Sequence, residues 1–282
     1  MTTAITTDRL DRVRAAAYRI RRHALDMGEV QGQGYIGQAL GVADILAVAY
    51  TDQLHHRPDD PHWPGRDRFL LSIGHYAIAL YAALAEAGFI PVEELETYGS
   101  DGSRLPMSGM ASYTPGMEIS GGSLGHGLTV ATGMALGLRH QGNPARVYNL
   151  LSDGELDEGS TWEAALACAH HGLDNVTAIV DVNALQADGP TAGVLRTEPV
   201  TDKWRAFGWH ATRVDGNDPA ALLAAFDDMR THRGSPAVLI CDTRIGCGVP
   251  LLEDREKAHF MRVDPDEWQI ARDQLSEGYH HA

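Results

Sequence analysis

Val147-Tyr148-Asn149-Leu150-Leu151 is an apolar run that ends in Ser152-Asp153-Gly154-Glu155 and leads within a few residues into Ser160-Thr161-Trp162-Glu163-Ala164-Ala165-Leu166-Ala167. An apolar run, a glycine turn and a helical pattern in that order read as strand, turn and helix. Such a turn aims backbone N–H groups and the positive end of a helix at one point, where a diphosphate is the natural occupant. The β-branched run Val176-Thr177-Ala178-Ile179-Val180 repeats the arrangement and ends in Asp181-Val182-Asn183. Asp153 and Asn183 stand thirty positions apart, the length of one helix plus one strand, as a βαβ crossover requires. A carboxylate and an amide oxygen then meet at the carboxyl edge of a parallel sheet. Mg²⁺ or Ca²⁺ prefers such oxygens, with diphosphate oxygens and a water completing about six ligands.

The chain has 282 residues, 44% of them hydrophobic, enough for one large α/β domain or two small ones. Its formal net charge of -15 argues against a nucleic-acid or anionic-membrane surface, since those partners need a basic face. Phosphorylated small molecules remain open, because local dipoles and a metal suffice to bind them. Cys168, Cys241 and Cys247 are odd in number and lack zinc-like clustering, which reads as reduced thiols. With no secretory leader and no apolar run near bilayer length, the expected compartment is the cytoplasm.

The rest of the pattern alternates helix and strand. Asp8 to Met27 reads as a helix with Thr7 as N-cap and with Arg9, Arg12, Arg19 and Arg22 as its solvated face. A glycine-rich stretch, Gly28 to Gly37, precedes a second helix, Val42 to Tyr50. After a Pro-, Asp- and Arg-rich loop, Phe69-Leu70-Leu71-Ser72-Ile73-Gly74-His75 reads as a strand and a turn that set His75 at a helix start. There it serves either as a cap or as a neutral donor, its cationic form being disfavoured by the helix dipole. Leu128 to Arg139 is a long helix, Val200 to Phe207 a helix, Trp209 to Val214 a strand, Pro219 to Thr231 a helix and Ala237 to Thr243 a buried strand. The expected fold is α/β, a parallel sheet flanked by helices on both faces, over a single domain 1–282.

Ser152-Asp153-Gly154 with Asn183 resembles the thiamine-diphosphate signature, an opening Gly-Asp-Gly and a closing Asn, with Ser152 in place of the first glycine. The likeness extends over nearly the whole chain to the N-terminal half of transketolase. It implies that Asp153 and Asn183 hold the metal through their side chains and Leu185 through its carbonyl, with Gly154 and Glu155 at the diphosphate. Glu118-Ile119-Ser120-Gly121-Gly122-Ser123-Leu124-Gly125-His126-Gly127 resembles the family's Glu-x-x-x-Gly-x-Leu-Gly-Gln-Gly, which implies that Ser123 and Leu124 lie beside the aminopyrimidine ring. Arg66-Asp67-Arg68-Phe69 followed by Leu71-Ser72-Ile73-Gly74-His75 matches closely and implies a role for His75 at the diphosphate or a substrate oxygen. Thr243-Arg244-Ile245-Gly246-Cys247-Gly248-Val249 resembles Thr-x-x-Gly-x-Gly-Val, and His259 then matches the His of a downstream Trp-His pair whose Trp is missing here. His259 would stabilise negative charge developing on a substrate oxygen, the alternative being an ordinary loop histidine. Tyr35 and Ser108 stand where the family carries substrate-facing histidines. Both can hydrogen-bond, but neither exchanges a proton near neutral pH as imidazole does, which implies a changed substrate pocket. Glu158 and Glu163 match acids at the interface between two active sites, and as helix-start acids they also complement the dipole.

The resemblance implies thiamine diphosphate with Mg²⁺ or Ca²⁺ and the transfer of a two-carbon ketol unit from a ketose-like donor to an aldehyde acceptor, with His75 and His259 as catalytic donors. In this family the glutamate that activates the cofactor lies in a pyrimidine-binding domain, and only one strand and helix series is visible here. A C-terminal, transketolase-like subunit carrying that domain and its Glu is therefore the expected partner, in an α2β2 heterotetramer that covers apolar surface on this chain. Two other readings stand beside this one: an E1-type α subunit that passes its product to a lipoyl carrier, and a non-catalytic paralogue that keeps the cofactor site.

Overall fold

Five parallel strands, β1 (Arg68–Leu71), β2 (Val147–Ser152), β3 (Val176–Val182), β4 (His210–Asp215) and β5 (Ala237–Asp242), form one sheet in the order β1-β2-β3-β5-β4. The structure is a computed structural model that describes residues 5–253, 255 and 257–280; the remaining positions of the expected domain lie outside the described residues. The longer helices are α1 (Thr7–Gln31), α2 (Ile36–Gly41), α3 (Ala43–Val48), α4 (Ala77–Glu86), α5 (His126–His140), α6 (Gly159–His170), α7 (Val200–Ala206), α8 (Pro219–Thr231) and α9 (Glu267–His280). Successive strand residues point to opposite faces. Phe69, Leu71, Tyr148, Leu150, Ile179 and Leu239 therefore pack with α1 to α4, α8 and α9, while Leu70, Leu151, Val176, Ala178, Val180 and Ile240 pack with α5, α6 and α7. Helices on both faces explain why β2, β3 and β5 are apolar along nearly their whole length.

The first helix departs from expectation in two ways. It begins one residue earlier, with Thr6 as the cap whose hydroxyl accepts from the Arg9 N–H at 3.3 Å, and it runs past Gly28 to Gln31. Gly28 faces Ile36 and Trp268 closely, so it serves helix contact, and the left-handed turn that ends the helix falls on Gly32. The glycine-rich stretch then forms a two-residue strand, Gln33–Gly34, paired antiparallel with Met261–Arg262, before α2 starts. Arg12 and Arg19 are exposed and Arg22 is half-buried, but Arg9 is only 8% exposed and forms paired hydrogen bonds with both Asp52 and Asp227. A buried guanidinium needs such partners, and Asp52 and Asp227 arrive from distant segments that helical spacing cannot reveal.

The carboxyl edge of the sheet is held by Glu155. Its carboxylate accepts from the Ser72 hydroxyl after β1, from the Gly125 N–H before α5 at 2.9 Å and from the Ser152 N–H at the end of β2 at 3.2 Å. The Ser72 hydroxyl in turn accepts from the Gly127 N–H at 3.0 Å. Burial pushes the Glu155 carboxyl up, against the opposing pull of these donors. Replacing it by Ala strands buried donors from three segments, so Glu155→Ala should lower unfolding free energy by about 2–4 kcal/mol. Urea denaturation measures this, with Glu155→Gln retaining part of the loss because an amide oxygen still accepts.

Candidate functional site

Parallel pairing sets Ser152 of β2 beside Asp181 of β3, so the turns that follow the two strands start side by side. Asp153 is 2% exposed, and its Oδ2 accepts from the Ala184 N–H at 3.0 Å and the Thr191 hydroxyl at 2.8 Å. Asn183 donates from Nδ2 to Asp181 Oδ2 at 2.7 Å and to the Tyr76 hydroxyl at 3.0 Å, while its Oδ1 accepts from the Leu185 N–H at 3.0 Å. Between them Ala184 takes a left-handed conformation, φ 62°, the one non-glycine residue with positive φ among the described residues. A side chain held there is strained, and such strain collects at functional turns. The turn leads Leu185 into a short antiparallel pairing of Leu185–Gln186 with Gly189–Pro190.

Two acids thus lie buried at one edge. Asp153 is pushed up to about 7 by burial and then by the charge of Asp181, despite its hydrogen bonds to Thr191 and Ala184. Asp181 is raised by burial against the pull of Thr243, Asn183 and Tyr76. Among the described residues no Lys, Arg or His offsets either, which leaves a deficit of positive charge that a bound cation would supply. No group of three or more His, Cys, Asp and Glu with metal-holding geometry occurs among the described residues. The Asp153 carboxylate and the Asn183 amide oxygen accept the successive Ala184 and Leu185 N–H groups of one turn, and both are oxygens of the kind a hard cation shares with phosphate. A Cβ on Gly154 would rest in ordinary contact with Gln186 and Ser152 at 3.7 Å, so the backbone there tolerates a methyl group without a clash inside this chain.

On the adjoining rim, Tyr35, His75 and His259 come together. The Tyr35 ring centroid lies 4.4 Å from that of His75 and 5.5 Å from that of His259, and the two imidazoles are 5.9 Å apart. Phe260 closes the cluster, its ring edge-on to Tyr35. Burial, then the neighbouring His259, pulls His75 down to about 4, and burial lowers His259 against the opposing charge of Asp188. Both rings are therefore neutral donors at neutral pH. His75 sits in a tight single turn, Gly74–Tyr76, that leads into α4. A Cβ on Gly74 would lie 2.2 Å from the Gly121 carbonyl carbon, so the 121–122 segment crosses directly over this turn. Ser108 joins the same rim: the Gly109 N–H donates to the Gly74 carbonyl at 3.1 Å, and Ser108 Oγ faces Gly122.

Ser123 is exposed and Leu124 half-buried against the core. His126 caps this turn with Nδ1, 3.1 Å from the Ser123 carbonyl and 3.2 Å from that of Leu124. The Glu155 side chain faces inward, toward the strand ends, so its place at the site is that of a brace. Glu158 and Glu163 are both exposed. Residue patterns alone give no role to Asp181, Tyr76, Thr191 or Gln38, all of which touch the residues above. An acid two positions before Asn183 is the available signal for Asp181; the others are joined to the site only through tertiary contacts. A cavity of about 880 Å³ between α1, the start of α8 and α9, lined by Arg14, Tyr18, Arg244 and Tyr279, contains none of the expected site residues.

Comparison with known proteins bears on this geometry. The family model described as transketolase, thiamine diphosphate binding domain, matches residues 13–281. A transketolase-family protein of Sinorhizobium fredii is 67% identical over 256 residues, which is 90% of this chain and 92% of that protein. The 6-deoxy-6-sulfo-D-fructose transketolase subunit of a Clostridium species is 37% identical over 89% of this chain and 92% of its own length. An apulose-4-phosphate transketolase subunit from Actinobacillus succinogenes is 39% identical over 86% of this chain and 88% of its own length. Among solved structures, transketolase from Campylobacter jejuni superposes with a TM-score of 0.88 at 29% identity, covering 94% of this chain and 43% of that one. The chain thus spans nearly the whole of the subunit relatives and less than half of that transketolase.

A histidine kept neutral by burial carries a pH signature. His75 has a folded value of about 4 against an ordinary value of 6.5, so the unfolded chain binds the extra proton between these limits. Its contribution to stability is present in full above about 6.5 and is lost as pH falls through about 4. Urea melts of the full chain should show stability dropping across this window, and His75→Gln should flatten the drop.

Proposed function

The chain belongs to the transketolase family through its thiamine-diphosphate-binding domain, and on that premise we propose that it is the diphosphate-holding subunit of a two-subunit, transketolase-like transferase. The observation that carries this reading is the convergence of Asp153 and Asn183 at neighbouring strand tips, where Asp153 accepts from the Ala184 N–H next to Asn183. In this reading Asp153, Asn183 and the Leu185 carbonyl would hold Mg²⁺ or Ca²⁺, and Gly154 would face the cofactor's diphosphate. Thr191 and Ala184 both donate to the same Asp153 oxygen, which steadies the carboxylate. Ser123 and Leu124 flank the aminopyrimidine ring. The cofactor, when bound, supplies the nucleophilic carbon and the electron sink for ketol transfer.

The chain's own side chains then act on the substrate. His75 and His259, both neutral, donate hydrogen bonds where negative charge grows on the oxygen of a ketose-like donor, and they cost no reorganisation because packing already orients them. Tyr35 and Ser108 contact substrate hydroxyls and set which donor fits. The names of the sulfofructose and apulose-4-phosphate relatives support a role within a split enzyme. The partner in this reading is a C-terminal subunit with the pyrimidine-binding domain and the activating Glu, in an α2β2 assembly. Leu166 on α6, 57% exposed, and Val130 and Leu136 on α5 lie with Glu158 and Glu163 on the outward side of adjacent helices, apolar surface that an assembly would cover. No helix among the described residues is long and apolar enough to cross a membrane, and the acidic charge suits a cytoplasmic enzyme acting on small molecules.

Two measurements test the reading. Titration calorimetry of the chain with thiamine diphosphate and Mg²⁺ should show binding lost in Asp153→Ala and weakened about tenfold or more in Gly154→Ala, whose stability stays within about 0.5 kcal/mol of the parent. The chain reconstituted with a pyrimidine-domain subunit should move two labelled carbons from a ¹³C-ketose to an aldehyde. Transfer to a lipoyl carrier instead would favour an E1-type activity, and no turnover of any donor would favour a binding paralogue.

A further inference from the structure

Gln38 on α2 is 1% exposed and reaches across to the loop that carries His259. Its Nε2 lies 2.8 Å from the His259 carbonyl oxygen and 3.4 Å from His259 Nδ1, while its Oε1 is buried with no hydrogen-bond partner among the described residues. The chemistry of the carbonyl fixes which way round the amide lies. A carbonyl oxygen only accepts, so the NH₂ must face it; the reversed amide would set two acceptors 2.8 Å apart. With the NH₂ so fixed, the same nitrogen also meets Nδ1. Nδ1 is then the acceptor, and the single proton of the neutral ring resides on Nε2. The orphaned Oε1 costs about 1–3 kcal/mol, and the orientation that would relieve it would break the bond to the His259 carbonyl. Of the other groups near the ring among the described residues, Tyr35 lies edge-on at 5.5 Å and His75 at 5.9 Å between ring centroids, and Asp188 acts on it by charge without a hydrogen bond.

We propose that Gln38 is a positioning residue that pins the His259 loop and fixes its imidazole in the Nε2–H form, so that the ring's one N–H faces away from Gln38 and is free for an oxygen of the substrate. The substrate class, a ketose-like polyhydroxy carbonyl compound, rests on the transketolase-like reading. The tautomer does not, because it is a property of this chain. A glutamine amide suits the task because it stays uncharged and keeps its donor at every pH. A carboxylate in its place would accept from Nδ1 and draw the proton to the wrong side.

The test begins with full chain labelled with ¹⁵N-histidine, in which multiple-bond ¹H–¹⁵N spectra report each imidazole's tautomer and His259→Asn identifies the signal. The parent should show His259 as Nε2–H. Gln38→Glu should convert it to Nδ1–H or to the imidazolium, and Gln38→Met, similar in shape but without a donor, should give a mixture. In the reconstituted complex Gln38→Met should lower kcat by between about tenfold and about a hundredfold, with thiamine diphosphate affinity unchanged. An Nδ1–H ring in the parent, one tautomer in all three proteins, or an unaltered kcat in Gln38→Met overturns the proposal. A tautomer that shifts as described in a complex that turns over no ketose supports the role of Gln38 while rejecting the ketol-transfer reading.

Discussion

The register of two neighbouring parallel strands is the constraint on which the rest depends. Because Ser152 pairs with Asp181, Asp153 and Asn183 emerge together from the same edge, and two acids are buried where no basic side chain among the described residues meets them. That arrangement opposes folding unless another source of positive charge answers it. The surrounding structure holds it in place through many small restraints: the Glu155 brace across three segments, the Thr191 and Ala184 donors on Asp153, and the strained Ala184 that turns the chain at the tip. The occupant we propose for it is a cation shared with a diphosphate.

How much of this is legible in the sequence depends on the range of the interaction. The central strands are readable because β-branched and apolar runs at even spacing, each followed by a glycine turn and a helix, admit few other folds, and α8 falls on Pro219–Thr231 as its pattern predicts. The strand-tip residues are readable for the same reason, since one helix plus one strand separates them. Boundaries set by distant partners are not. Arg9 looks like part of a solvated face until Asp52 and Asp227 are brought to it, and α1 passes Gly28 because Ile36 and Trp268 pack there. The last helix, α9, escapes the pattern reading; Trp268, Ala271 and Leu275 are its buried residues, within a run otherwise mostly polar. Gln38 and Tyr76 escape it too, since neither is a residue type that advertises chemistry, and their importance comes from what they touch.

The substrate rim shows the same division. Tyr35, Ser108, His75 and His259 come from segments far apart in the chain, yet they meet over the turn that starts α4. Two imidazoles, His75 and His259, remain in this cluster, and both are held neutral by burial. In the proposed reading, the Tyr35 and Ser108 hydroxyls take the places of further imidazoles. The rim is therefore arranged to donate and to select more than to exchange protons, and it presents its aromatic face, with Phe260 39% exposed, to whatever completes the pocket.

The claim that the tips of β2 and β3 grip a cation-bridged diphosphate has one most direct test. Crystals of the complex grown with thiamine diphosphate and Mn²⁺ would give an anomalous difference peak at the metal. The account predicts that peak within about 2.0–2.6 Å of a side-chain oxygen of Asp153, a side-chain oxygen of Asn183 and the carbonyl of Leu185, with diphosphate oxygens on its open side. A peak elsewhere in the chain, or a diphosphate bound away from Gly154 with no metal beside Asp153, would contradict it.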